Sequence, residues 1–423
     1  MCPKQTSQQC PSLRKSLPGL RAKRGATNVV SRARSASRYF KAVKDASKVM
    51  QPEVTRYFFR GRVAQESILR AMNIGMGDEV IVQAFTCIAT PIPILAVGAK
   101  PVFVDVDART YNLDPAKLDA VTTRNTKAIM VQHTFGIPAD MDRVLAFAAK
   151  HNLAVIEDCC HTLASSFRGQ IVGTLGDAMF SSHRWGKPLV LGAGGRATIR
   201  RAEYSNQLLK LYEKAQPPGT LAVLQVLAEY VTYELLLRPS TFWWQRDLFR
   251  FLSRWHLVKP TFTRKEVGGR MTDAGWRMPA LHERWLASRL KRLDENSEFR
   301  RSVANIYGAV LREMNAHICE LDERYDPVFL RYPLLVRSKD RVLQLARKRA
   351  VELGDWYISA VHPMHSPAEL RTMGYEAKSC PVAEMIADHV VTLPIHSKIN
   401  SKQVRRTVDL LKELATRDLL RAA

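Results

Sequence analysis

Lys187 stands in the stretch from Ser181 to Gly195, SSHRWGKPLVLGAGG, between a tryptophan and a run of small residues. A lysine in that setting is a solvated charge, a phosphate clamp or a covalent catalyst. A phosphate loop of the GxxxxGKS or GxxxxGKT kind needs its lysine after the glycines, whereas here the lysine precedes them and Pro188 follows. Gly192, Gly194 and Gly195 can be forced onto a dinucleotide fingerprint. That fingerprint opens the first strand–turn–helix of its domain, yet four apolar runs precede this one. The covalent reading makes further demands on the chain. A Schiff-base lysine working with pyridoxal phosphate needs a carboxylate to keep the pyridine nitrogen protonated, and a cradle for the phosphate. Asp158 closes the apolar run LAVIED, and Gly61 and Arg62 open a helical segment whose free N–H groups and guanidinium suit an anion. Each has a plainer reading, Asp158 as a helix cap and Gly61-Arg62 as an ordinary helix start. Together they lie in the chain order of a large-domain pyridoxal enzyme.

The elements that must position these residues are legible from residue 62 onward. VAQESILRAMNIG has helical spacing and stops at Gly75, and ADMDRVLAFAAKHN has the same character. DEVIVQAF, KPVFVDVD, KAIMVQH and LAVIEDCC are compact apolar runs rich in Val and Ile. Such runs alternating with helices predict strands buried on both faces, hence a parallel α/β sheet. Polar residues at the carboxyl ends of such strands line the ligand crevice, which here means Asp105, Asp107, His133, Glu157, Asp158 and His161. Past Arg201 the pattern is helical over 203–260, and a long helical stretch then runs from Pro279, suited to a first-turn position, to Met314. The last hundred residues predict a small α+β unit with strands over PVFLRYPLLV and DWYISAVH. The expected division is a basic arm over 1–50, a large domain over 51–290 with a helical insertion at 203–260, and a small domain over 291–423.

Composition narrows the class of molecule. A chain of 423 residues with 46% hydrophobic and 25% charged content buries a substantial core. The formal charge of +24 is unevenly spread: twelve Lys and Arg precede residue 51, opposed there only by Asp45. That arm has no apolar stretch of signal-peptide length and suggests anionic partners such as membrane headgroups, phosphorylated substrates or nucleic acid. Seven scattered cysteines without a CxxC predict a reducing compartment and neither disulfide framework nor metal site. No window reaches the ~18 uncharged apolar residues of a spanning helix.

Five stretches in order carry a family resemblance: NIGMGDEVIVQAFTCIATPIPILAVGAKPVFVDVD, VQHTFGIPADMD, LAVIEDCCHTLASSFRGQIVGTLGD, the run from Gly176-Asp177 through Ser182 and Lys187 to Gly195, and SCPVAEMIADHVVTLPIH. From about Arg60 to its end the chain resembles the DegT/DnrJ/EryC1/StrS sugar aminotransferases, fold-type I pyridoxal phosphate enzymes. The resemblance implies a large, mostly parallel α/β domain with a smaller carboxyl-terminal α+β domain. It implies that Lys187 holds the cofactor and then serves as general base, that Asp158 pairs with the pyridinium nitrogen, and that Ser182 and Gly61 contact the phosphate. His161 stands where the family usually has Gln, near the cofactor's phenolic oxygen, or is a packed core histidine. It departs from the family at three places. Arg62 replaces the Ser or Thr of the phosphate turn, Cys87 replaces an aromatic that stacks on the ring, and Gly275 replaces a cross-subunit Asn.

The implied reaction transfers an amino group, with glutamate or glutamine the expected donor, to a keto-sugar that is nucleotide-activated or lipid-linked. A cytoplasmic homodimer is expected, at the inner face of the membrane if it touches one, with nucleic acid not an expected partner. The competing reading is a catalytically altered or non-catalytic protein of the same fold on a membrane surface or nucleic acid. TFWWQRDLFRFLSRWH bears on both. Trp244, Leu248, Phe251, Leu252 and Trp255 share one helical face, opposite Arg246, Arg250 and Arg254. Residues 241–256 thus suit a peripheral membrane contact, or packing against the body or a dimer partner.

Overall fold

The computed structural model describes residues 53–236, 238–255, 271 and 273–422, so the basic arm over 1–50 lies outside the described residues. Eleven strands and eight helices position the site. The strands are β1 (Val54–Phe58), β2 (Glu79–Gln83), β3 (Thr86–Cys87), β4 (Lys100–Val104), β5 (Thr126–Gln132), β6 (Ala154–Asp158), β7 (Ala178–Ser182), β8 (Gly195–Ile199), β9 (Tyr332–Leu335), β10 (Val361–His362) and β11 (Val390–Leu393). The helices are α1 (Gly61–Ala71), α2 (Met141–His151), α3 (Ala202–Lys214), α4 (Thr220–Leu236), α5 (Phe242–Arg254), α6 (Ala280–Leu290), α7 (Leu293–Glu313) and α8 (Pro381–His389).

The four apolar runs become β2, β4, β5 and β6, paired parallel, and the seven-stranded sheet has the order β1-β8-β7-β6-β5-β2-β4. Only β8 runs against the rest. Every residue of β2 and β7 is buried. That burial explains why these runs lack alternation, since both faces are covered by helices. One face packs α1 through Val63, Ala64, Ile68 and Leu69, and the other packs α2 through Met141, Val144 and Ala148.

The carboxyl-terminal portion is built around the antiparallel pair β9–β11. Its core is continuous with the large sheet's edge: Phe85, Ile88, Tyr111 and Phe135 share a cluster with Val303, Tyr307, Leu334 and Ile386. Asp105 helps to clamp the two portions. It accepts from Val382 N–H (3.2 Å) and Ala383 N–H (2.9 Å) in the first turn of α8, and pairs with Lys117 at 2.8 Å. First-turn N–H groups lack intrahelical acceptors, so a carboxylate there is both partner and counter-charge.

Four expectations need correction. The long helical stretch breaks at Lys291-Arg292, and Pro279 caps α6 rather than sitting in its first turn. The two halves serve different cores, α6 placing Leu286 beside Leu189 and Leu191, and α7 placing Tyr307 and Leu311 in the small-domain cluster. The strand over DWYISAVH shortens to β10, because Trp356 and Tyr357 turn toward the site described below. The crevice set also loses members. Asp105 is spent on α8, Asp107 on Arg109 (2.7 Å), and His133 and Glu157 on each other. Glu157 accepts from the N–H groups of Gly173, Leu175 and Gly176 as well as from His133. His133 Nδ1 accepts from Ala139 N–H, so Nε2 carries the proton toward Glu157. Cys159 lies beside this pair, but their lone pairs are already used, which makes the group a structural network rather than a metal site.

Candidate active site

Asp158 ends β6, next to Glu157 on the opposite face, as the period of a strand requires. Its carboxylate accepts Cys160 N–H at 2.9 Å, and burial pushes its pKa above the ordinary range while Lys187 opposes the shift. Lys187 lies in the loop joining β7 to β8. That loop is pinned by Leu191 N–H to His183 O (2.8 Å), His183 N–H to Gly194 O (2.9 Å) and Gly194 N–H to Phe59 O (2.8 Å). Lys187 acts electrostatically on Asp158, Cys87, Cys160 and His161, and Trp356 touches both His161 and Gly186, the residue before the lysine.

His161 is buried and neutral. Burial, reinforced by Lys187, holds its pKa well below the usual histidine value. Its Nδ1 accepts Phe135 N–H at 3.2 Å, which leaves the proton on Nε2 as a donor. Trp356 lies over this imidazole at 6.4 Å between centroids and 18° between planes.

At the other end stands an anion cradle. The α1 N-terminus presses against β7: a Cβ on Gly61 would come within 2.8 Å of the Ser182 Cβ. One on Gly195 would collide with Arg60 O and Gly61 N, so only glycine lets β8 lie so close to the helix start. The N–H groups of Gly61 and Arg62 have no intrahelical acceptor and open beside Ser182. Arg60 and Arg62 both pair with the Asp273 carboxylate, at 2.5 and 3.4 Å. Arg184 joins them, and burial together with these two like charges lowers its pKa to about 10. Three guanidiniums, with the buried Asp273 and Glu229 among them, cluster at a helix N-terminus.

This set fits pyridoxal phosphate. It offers a buried carboxylate for the ring nitrogen, an amine whose charge acts on that carboxylate, a neutral imidazole donor, and a helix start with guanidiniums beside it for the phosphate. Of the residues singled out from the sequence, Gly61 and Arg62 open α1 beside Ser182 at the end of β7, Asp158 ends β6, His161 stacks between Phe135 and Trp356, Cys87 ends β3 opposite His362, and Lys187 lies in the loop from β7 to β8. Gly275 has φ +74° and open space where a side chain would project, and it is two residues from Asp273. Sequence reasoning missed Arg184, Trp356 and Tyr357. Arg184 was within the quoted lysine stretch, three residues from Lys187, and its charge was the available signal. The aromatic pair carried no local signal, because nothing near position 356 points 200 residues back to Asp158.

One ion-pair triad steadies the segment that carries Trp356. Glu352 pairs with His396 at 3.0 Å and with Arg331 at 3.3 Å, and Arg331 lies over the Trp356 ring at 5.9 Å. Buried Glu352 is held at about 2 by His396 and Arg331, against the opposing effect of burial. A depressed carboxyl stabilises the fold above its unfolded value of ~4.3, and that stability is lost as pH falls toward 2. Glu352→Gln is therefore expected to cost about 2 kcal/mol at pH 7. Thermal melts of both proteins should show the gap narrowing at pH 3, and an equal gap at both pH values would refute the ionic origin.

The model of the family described as the DegT/DnrJ/EryC1/StrS aminotransferase family matches residues 60–218 and 254–412. The gap between the two matches covers nearly all of α4 and α5. The UDP-N-acetyl-3-dehydro-alpha-D-glucosamine 3-aminotransferase of Acidithiobacillus ferrooxidans is 29% identical over 349 residues, 81% of this chain and 79% of that protein. The dTDP-3-amino-3,6-dideoxy-alpha-D-galactopyranose transaminase of Aneurinibacillus thermoaerophilus is 30% identical over 343 residues, covering 81% and 80%. Among solved structures, the PLP form of the putative sugar aminotransferase Spr1654 from Streptococcus pneumoniae superposes with a TM-score of 0.66. It is 20% identical, with 90% of this chain and 91% of that chain covered.

Proposed function

Because the chain belongs to the DegT/DnrJ/EryC1/StrS aminotransferase family, we propose that the Lys187 compartment moves an amino group from glutamate or glutamine onto the ketone of an activated sugar. The protein is a pyridoxal phosphate-dependent sugar aminotransferase. One observation supports the assignment of roles: the Lys187 charge acts on the buried Asp158 carboxylate, and Gly61 at the start of α1 abuts Ser182 at the end of β7. The two relatives named for UDP- and dTDP-sugars support a nucleotide-activated acceptor, and a lipid-linked one keeps the same chemistry at the ketone.

Bound there, pyridoxal phosphate supplies an aldehyde that exchanges amines and a ring that stores an electron pair. The chain's residues do the rest. Lys187 Nζ takes the proton from substrate carbon in one half-reaction and returns it in the other, as a positioned general base and then acid. The Asp158 carboxylate, shielded from water, holds a proton at the ring nitrogen and so keeps that nitrogen cationic. His161 Nε2–H donates to the cofactor's phenolic oxygen. Gly61 and Arg62 N–H, Ser182 Oγ and the Arg62 guanidinium bind the phosphate.

A homodimer in the cytoplasm, reaching the inner face of the membrane through residues 241–256, completes the reading. Among the described residues ten large apolar side chains are exposed, and eight of them lie on α4, α5 and Trp255: Leu221, Leu224, Val231, Leu235, Trp244, Leu248, Phe251 and Trp255. Among the described residues no single helix is long and apolar enough to cross a membrane, while the bent pair Thr220–Leu235 and Pro239–Leu248 passes that test together by length and composition.

The test uses the purified full chain and pyridoxal phosphate. A band near ~410–430 nm that borohydride abolishes is the expected result. A chain that stays colourless with added cofactor overturns the reading. Keto-sugars screened with glutamate then identify the acceptor.

A further inference from the structure

Cys87 is half-buried at the end of β3, opposite His362 and within electrostatic reach of Lys187, Asp158 and Arg62, with a side chain too small to cover a ring. Tyr357 lies next to it. This tyrosine comes from the carboxyl-terminal portion, is 2% exposed, and has its hydroxyl against Gln132, with Cys87, Asp158 and Cys160 close by. We propose that Tyr357 is a cofactor-positioning residue whose ring forms the aromatic wall of the pyridoxal phosphate compartment, in place of an aromatic side chain at Cys87. The inference rests on the pyridoxal phosphate reading of the site.

Three observations carry it. The first is the neighbourhood. The Tyr357 ring lies 6.5 Å from the His161 imidazole, with 31° between planes, and burial, with Cys87, Asp158 and Cys160 close by, raises the pKa of its phenol.

The second is the tether. Thr86 N–H donates to Ala360 O and Ile88 N–H to His362 O, both at 2.9 Å, on either side of Cys87. Strands β3 and β10 pair in parallel with His362 opposite Cys87. The backbone that presents the small side chain thus holds the segment that presents the large one, and the two positions move as a unit.

The third is the shape of the aromatic pair. Tyr357 meets the Phe85 ring edge-on at 4.8 Å and 74°, a contact that fixes the plane of its own ring. Trp356, nearly parallel to Tyr357 (18°), covers His161 and lies 3.4 Å from where a Cβ on Gly186, the residue before Lys187, would sit. Residues 356 and 357 therefore touch the imidazole, the lysine loop and the Cys87 strand at once.

The test is titration of the apoprotein, full chain, with pyridoxal phosphate, followed by the absorption band and by tryptophan fluorescence. Tyr357→Ala is expected to raise Kd about three- to tenfold, the range of an aromatic contact. Tyr357→Phe, which keeps the ring, should stay within about twofold of wild type. Adding Cys87→Phe to Tyr357→Ala should recover much of the loss. Cys87→Phe alone, packed against an intact Tyr357, should weaken binding. An unchanged Kd in folded Tyr357→Ala protein overturns the proposal, as does a double variant no better than Tyr357→Ala. Should Tyr357→Ala not fold, Tyr357→Leu fills the volume without a ring, and an unchanged Kd there is equally fatal. A wild-type chain that forms no band defeats the pyridoxal phosphate reading itself, before any variant at position 357 is compared.

Discussion

Lys187→Ala is expected to lower transamination by at least ~10³-fold, the combined effect of losing a positioned acid–base group and a covalent anchor. The borohydride-sensitive band should vanish with it. The reason is its position: among the described residues Lys187 is the amine that acts electrostatically on Asp158, Cys87, Cys160 and His161 together, and its loop is fixed by backbone hydrogen bonds to Phe59 and within itself. Lys187→Arg should be as inactive, because a guanidinium stays protonated and cannot exchange with an aldehyde. The thermal stability of the apoprotein should change little, since the lysine is only half-buried. Single-turnover spectra with glutamate measure the first half-reaction directly. Activity within tenfold of wild type in Lys187→Ala would move the reacting amine elsewhere.

Asp158→Asn is expected to cost about 10²–10³ in rate, because an amide cannot hold a proton on a ring nitrogen as a carboxylate does. The same substitution should leave the apoprotein at least as stable at pH 7. Burial raises the folded pKa of Asp158 above its unfolded value of ~3.9. The folded state therefore binds more protons in the interval between the two values, and stability falls as pH rises through it. At pH 7 the ionised carboxylate is a net cost to the empty fold, which asparagine removes. Below pH ~3.5 both side chains are neutral and the difference should vanish. Melts of cofactor-free protein at pH 7 and pH 3 check the sign, and a marked loss of stability at pH 7 would make Asp158 a structural residue instead.

These two residues were the most legible part of the molecule. An aspartate at the end of an apolar run is placed at the mouth of a parallel sheet by strand period alone, and Asp158 is found there. The same rule over-reached at Asp105, Asp107, His133 and Glu157, which share the strand-end signature with Asp158. What separates them is demand from the rest of the fold: α8 needs a carboxylate at its first turn, and the N–H groups at 173–176 need one inside. Such demands come from segments far along the chain, and a strand read by itself does not contain them.

By itself the sequence determined the parallel sheet, the order of Gly61, Asp158, Ser182 and Lys187 along it, and the absence of an aromatic side chain at Cys87. These follow from local rules, since burial on both faces sets the composition of a strand and glycine sets where backbones meet closely. Only the tertiary structure decided that Arg184 joins Arg60 and Arg62 around Asp273, and that Tyr357 arrives beside Cys87. Both depend on two distant segments occupying one volume. Packing of that kind is settled by the pairing of β3 with β10 and by the core shared between the two portions, and it leaves no periodic trace in either segment.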